Sequence, residues 1–357
     1  MATTKEPKEW TLMFYLASDN PLAPSVVAQL KALKQAGFHH DANVIAHFDP
    51  QTERTPTHIF EVNLINKLKS PDKSNIGFRG NDPFVRTLIE DKLWGDQTNR
   101  DGKPIRELIK ESLAKPAVGG LNYGPPIPKA GRIVRKAHRK GDSGELSPRQ
   151  SLEEFLHFCC DNYPAHHYML FLLGHGMVVG NDIFLFDEHA DEEQSLSLIQ
   201  LGDVLNGVDG VKAKIDKQNA KLELIGFHNC SVSSLEVAYQ LKGTANYMLA
   251  SQGPAFVGSW PYRQILIRVF NDLQRKKETP AEEEARLKEK RSRLSEKDVK
   301  RTVNSIFDYC LNNSSDYVLA GYSFDIALCR LDKVTDIQTP LKELSSWLVK
   351  GLAEPLV

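Results

Sequence analysis

Two short stretches carry residue types suited to covalent chemistry. Gly174-His175-Gly176 follows the apolar run Tyr168 to Leu173, and His228-Asn229-Cys230-Ser231 follows the run Leu222 to Phe227. The first sets an imidazole in a glycine turn, where backbone can approach a ligand closely. The second sets a thiol where a strand gives way to a helix. A thiol reacts as its thiolate, and a neighbouring imidazole that takes the proton supplies that form. Taken singly, such a histidine is more often a turn residue and such a cysteine a small buried hydrophobe. Adjacent parallel strands lie about 4.8 Å apart, so the two groups can meet if their strands are neighbours.

The elements that must position them are legible as short apolar runs separated by helical periodicity. Strands are expected at Trp10 to Ala17, Asn43 to Asp49, His58 to Asn63, Tyr168 to Leu173, Leu222 to Phe227 and Asn246 to Ala250, with an edge strand at Tyr322 to Leu328. Helices are expected at Pro24 to Leu33, Ser151 to Asn162, Leu198 to Leu205, Ser233 to Leu241, Tyr262 to Gln274 and Leu341 to Leu348. Continuous apolar strands alternating with amphipathic helices predict an α/β fold with a mostly parallel sheet. In such sheets reacting groups collect beyond the C-terminal strand ends, where His175 and Cys230 fall. Residues 1–357 read as one domain with two insertions, at about 66–148 (Pro/Gly-rich, then basic from Lys129 to Lys140) and 274–301 (charged and helical). Val211 to Lys221 reads as a polar, lysine-rich linker, and the 274–301 run as a solvated helix with Glu–Arg and Glu–Lys pairs at i,i+4.

Composition excludes several classes. Among 357 residues, 45 Lys+Arg stand against 46 Asp+Glu, so a net charge of −1 draws the chain to neither nucleic acid nor anionic membrane. The basic Lys129 to Lys140 run lacks interleaved aromatics for stacking on bases. No apolar stretch has the length of a membrane span, and Met1 to Glu9 lacks a secretory pattern. Five cysteines, Cys159 and Cys160 adjacent, suit a reducing compartment, and a cytoplasmic location is expected. There is no phosphate-binding glycine loop for ATP or NAD. His166-His167 and Cys159-Cys160 lack zinc spacing. The acids of Asp187 to Glu193 could bind calcium, but the glycine-centred loop spacing is missing. Gly141-Asp142-Ser143-Gly144 is similar to a serine-protease nucleophile motif, but that fold is all-β and this stretch sits in an insertion. No cofactor is expected.

His175 precedes Cys230 by 55 residues, similar to the caspase order and separation of about 50. Beyond this, the chain resembles the clostripain-like (C11) cysteine peptidases of the caspase-like clan. The resemblance runs through Trp10 to Leu22 with its Asp19-Asn20 turn, Ser151 to Leu156, Asn162 to Ala165, Tyr168 to Gly176, Leu224 to Cys230 and Ala250 to Tyr262. It implies a caspase-like three-layer sandwich, a mostly parallel central sheet flanked by helices, and a cysteine endopeptidase acting on protein or peptide substrates. His175 matches the catalytic histidine and Cys230 the nucleophile, with the backbone N–H groups of Gly176 and Cys230 as oxyanion donors. Substrate contacts are expected from His228, Ser251, Gln252 and Asp19. The family typically carries an Asp two residues before the nucleophile and a second acid on the next strand, for Arg or Lys at P1. Here those positions hold His228 and Gln252, which removes the charge-assisted partner of a guanidinium, so a basic P1 preference is not carried over. Strand alternation should leave His228 bordering the cleft. The resemblance further implies self-cleavage, with the Val211 to Lys221 linker or the basic run as exposed candidates, a regulated proteolytic pathway with a regulatory protein partner, and calcium as a family cofactor, while the missing secretory pattern points to intracellular substrates. The alternatives are an inactive protein-binding module of the same fold and, less well supported without a phosphate loop, a nucleotide-binding regulator.

Overall fold

Along β1 (Lys8–Leu16) the side chains alternate between two separate cores. Leu12, Phe14 and Leu16 enter one, while Met13 and Tyr15 enter the other. β5 (Ala165–Leu173) repeats the pattern, with Met169, Phe171 and Leu173 on the first face and Tyr168, Leu170 and Leu172 on the second. A strand buried on both faces must be apolar throughout, which is why these runs do not alternate with polar residues. The computed structural model describes residues 6–37, 39–49, 57–62, 96, 98, 101–114, 132–136, 146–177, 183–187, 194–275, 278–289, 291–313 and 324–353.

In chain order, β1 is followed by α1 (Ala23–Gln35), β2 (Ala42–Phe48), β3 (His58–Glu61), α2 (Ile105–Ala114), β4 (Arg132–Lys136), α3 (Pro148–Asn162) and β5. Then come the short paired strands β6 (Gly176–Met177) and β7 (Ile183–Phe184), α4 (Leu198–Asn206), α5 (Val211–Lys217), β8 (Lys221–His228), α6 (Leu235–Gln240) and β9 (Tyr247–Ala250). The rest is α7 (Tyr262–Arg275), α8 (Pro280–Lys288), α9 (Glu296–Asn313), β10 (Ala327–Arg330), a 3-10 segment (Leu331–Ile337) and α10 (Gln338–Ala353). The eight-stranded sheet has the order β10-β9-β8-β5-β1-β2-β3-β4. Its centre, β9 to β2, is parallel, and the antiparallel strands β10, β3 and β4 lie at its edges. Helices α1, α7 and α9 cover one face and α3 to α6 the other, giving three layers. Among the described residues, no helix is long and apolar enough to cross a membrane.

Three expectations change. Val211 to Lys217 is a helix, not a linker, because Val211 and Ile215 at i,i+4 bury against the core while Lys214 pairs with Asp161 of α3 at 2.8 Å. Part of the basic run, Arg132 to Lys136, is strand β4 paired to β3 rather than a loop. The edge strand expected from Tyr322 forms instead at Ala327–Arg330. Residues 141–145 and 188–193 lie outside the described residues, as does most of 66–148.

The 274–301 run also divides. α8 is solvated as expected, with Glu284 and Lys288 paired at 2.8 Å, but the segment after it docks on the N-terminal end of the sheet. Ser292 Oγ donates to Glu9 at 2.7 Å and lies 2.8 Å from His167 Nε2, while His167 Nδ1 lies 2.7 Å from Glu223. The spacing is that of a nucleophile, a base and an orienting acid. It does not suit catalysis, because the hydroxyl proton goes to Glu9 and Leu294 N–H already donates to the same oxygen at 2.9 Å. The cluster fastens a loop to the sheet.

Candidate active site

Leu173 of β5 pairs in register with His228 of β8. Two residues beyond each stand His175 and Cys230, so both leave neighbouring strands at the same level, at the C-terminal sheet edge. His175 is exposed and Cys230 half-buried. The histidine turn is held by Leu185 N–H donating to His175 O at 2.9 Å, and by Asn229 Nδ2 donating to Gly174 O at 2.8 Å and His175 O at 3.3 Å. A Cβ on Gly174 would lie 2.9 Å from Ala17 Cβ, and one on Gly176 only 2.6 Å from Asn229 Cβ. Close approach, rather than unusual backbone angles, demands both glycines.

Ser231, directly after the thiol, has a φ of 54°, and Leu185, which binds His175 O, one of 56°. Non-glycine residues in this region are costly and gather where function fixes the backbone. Ser231 N–H donates to Gly253 O at 3.0 Å, and Val232 N–H to Ser251 O at 2.9 Å. The loop after β9 is thereby tied to the nucleophile turn. It meets the thiol itself, with Ala255 N–H reaching Cys230 Sγ at 3.3 Å. Asp325 braces the same loop: its carboxylate accepts from Ser251 Oγ at 3.0 Å, Gln252 N at 2.6 Å and Gly253 N at 2.7 Å. At the other four cysteines, burial disfavours the thiolate. Burial pushes Cys160 up to about 12 and raises Cys159, Cys310 and, at a more open position, Cys329.

His228 differs from expectation. It is 2% exposed and stacked on Trp260 at 4.9 Å, with Nδ1 3.0 Å from Tyr262 Oη and Nε2 2.7 Å from Phe256 O. A carbonyl oxygen only accepts, so Nε2 carries the proton and Nδ1 accepts from the tyrosine. Gly226 makes room, since a Cβ there would lie 2.8 Å from the Trp260 ring. β8 ends at His228, so strand alternation does not carry on to Cys230, and Trp260 and Tyr262 cover the His228 ring. Ser251 and Asp19, each 1% exposed, are likewise buried; of the four residues expected to contact substrate, only Gln252 is exposed.

Burial lowers His228 from 6.5 to about 4 and His47, stacked on Tyr15, to about 3. Both rings are neutral when folded and take a proton on unfolding at mildly acid pH. Their stabilisation is therefore complete above 6.5 and is lost as pH falls toward about 4 for His228 and about 3 for His47. For His228 alone the loss is about 3 kcal/mol. The urea midpoint should fall markedly between about pH 7 and about pH 4.5, and His228→Phe should flatten that fall; a profile identical to wild type would contradict the assignment.

Asp19, Asp49 and Asp187, all buried and lying after β1, β2 and β7, bring carboxylate oxygens within 4.8 Å of one another. They are oxygen donors of the kind calcium takes, and would supply part of the six to eight oxygens it usually binds. A groove of about 570 Å³ runs along α3, lined by Gln150, Glu153, Glu154 and His157, and touches neither His175 nor Cys230. Sequence reasoning missed Asn229, Ala255 and Asp325. Only Asn229 had a signal, a side-chain amide directly before the thiol.

The family model described as "Clostripain family" matches residues 128–354. Among solved structures, the fold is similar to a secreted C11 cysteine protease from Bacteroides thetaiotaomicron at 14% identity and a TM-score of 0.50, covering 95% of this chain and 71% of that one. A C11 protease structure from the same organism, in complex with an irreversible peptide inhibitor, aligns at 13% identity and a TM-score of 0.50, covering 92% and 68%. At such identities the likeness bears on fold. A search of curated proteins finds no match.

Proposed function

The chain belongs to the clostripain family and is a cysteine-type endopeptidase, and from that premise we propose that Cys230 is its nucleophile and His175 its general acid and base. The Cys230 thiolate attacks the scissile carbonyl carbon, forming a C–S bond. The oxyanion is held by the backbone N–H groups of Cys230 and Gly176. As the C–N bond breaks, His175 gives its proton to the leaving amine. It then takes a proton from water, whose oxygen attacks the thioester and releases the acid and the thiolate. The observation that carries this reading is the exit of both residues from adjacent strands, two positions past the Leu173–His228 pair.

Neither His228, neutral and covered by Trp260, nor Gln252 offers a carboxylate to a basic P1 side chain. Asp325 is nearby, but it is engaged by three donors of the 251–253 loop. The enzyme is thus proposed to select P1 on grounds other than positive charge. Self-cleavage between residues 211 and 217 would first have to unwind α5. Ala255 N–H, donating toward Cys230 Sγ at 3.3 Å, is placed to favour the thiolate over the thiol.

One experiment tests the proposal. A proteome-derived peptide library incubated with wild type should yield new termini that Cys230→Ala does not produce, with no enrichment of Arg or Lys at P1. Cleavage surviving in Cys230→Ala, or absent from both proteins, would overturn the proposal.

A further inference from the structure

We infer that Asn229 is a positioning residue, whose carboxamide fixes the His175 turn against the backbone that carries Cys230; the inference rests on the dyad proposed above. The backbone ladder between β5 and β8 ends at the Leu173–His228 pair. One residue further, a side chain takes over the ladder's work, with Asn229 Nδ2 donating to Gly174 O at 2.8 Å and His175 O at 3.3 Å. Because these bonds come from a side chain, the two chains can separate into a cleft while staying fastened. Asn229 adjoins Cys230 in sequence, so the turn bearing the base is tied directly to the nucleophile's own backbone.

The chemistry of the position is restrictive. Both partners are carbonyl oxygens, so only a donor fits, and an ionised carboxylate has none. Asn229 is 1% exposed, and its Oδ1 is buried with no hydrogen-bond partner among the described residues. Turning the amide over would set that oxygen against two carbonyls, so the orientation is fixed. A Cβ on residue 176 would lie 2.6 Å from Asn229 Cβ, so only glycine lets the histidine turn pass this close to the side chain.

Asn229→Asp keeps the shape and removes the donors. On the library peptide that wild type cleaves fastest, its kcat should fall about tenfold to a hundredfold at neutral pH, with KM within about twofold, as misplacing a catalytic group costs turnover. Part of the loss should be regained at acid pH, where the protonated carboxyl recovers one donor. A variant with wild-type kcat at every pH, whatever its melting temperature, would overturn the inference. Should the variant fail to fold, the wild-type protein still decides. Slow solvent exchange of the Asn229 side-chain amide protons by NMR supports the tie, and fast exchange overturns it. Loss of activity in Cys230→Ala beside full activity in Asn229→Asp removes only the positioning role, whereas activity in Cys230→Ala removes the dyad itself.

Discussion

Replacing His175 with alanine is expected to lower kcat/KM by about a hundredfold to ten-thousandfold, the range that general acid–base catalysis contributes. Stability should change by no more than about 0.5 kcal/mol, because an exposed side chain contributes little to the fold. The expectation separates chemistry from architecture, since the turn around the imidazole is held by backbone and by Asn229 rather than by the ring. Two residues that act as a unit are not additive. The double variant of His175 and Cys230 should therefore be no slower than Cys230→Ala alone. Steady-state kinetics beside a urea titration read both quantities, and a large loss of stability in His175→Ala would show that the ring is structural.

The second large effect concerns His228. Restoring the family's acid with His228→Asp should destabilise the protein by about 3–5 kcal/mol, the cost of an uncompensated buried charge. Only the Tyr262 hydroxyl would donate to the new carboxylate, which would otherwise face Phe256 O, an acceptor, and the Trp260 ring, where a neutral imidazole now donates and stacks. Cleavage after Arg or Lys should not appear, because the side chain does not reach open space. A stable variant that gained basic P1 cleavage would place residue 228 in the substrate pocket and contradict the packing described.

The contrast between these two histidines shows where the sequence was readable. Burial on both faces makes a strand uniformly apolar, so β1, β5 and β8 stood out, and the polar switch after each marked the tips that carry His175 and Cys230. The environment of His228 was not legible, because what covers it, Trp260 and Tyr262, comes from a segment 32 to 34 positions downstream. α5 was misread for a local reason. Its apolar contribution is two residues, Val211 and Ile215, amid lysines, too sparse a pattern to distinguish from a loop. Asp325 reaches the site from the segment before β10 to accept backbone N–H groups, a role that leaves no spacing to recognise.

Iodoacetamide alkylation of the five cysteines, followed residue by residue across pH, tests the proposed dyad most directly. Cys230 should react fastest, ahead of the buried Cys159, Cys160 and Cys310 and of Cys329, with a pH profile that shifts when His175 is replaced by alanine. Labelling of Cys230 no faster than Cys329, or a profile untouched by His175→Ala, would contradict the dyad.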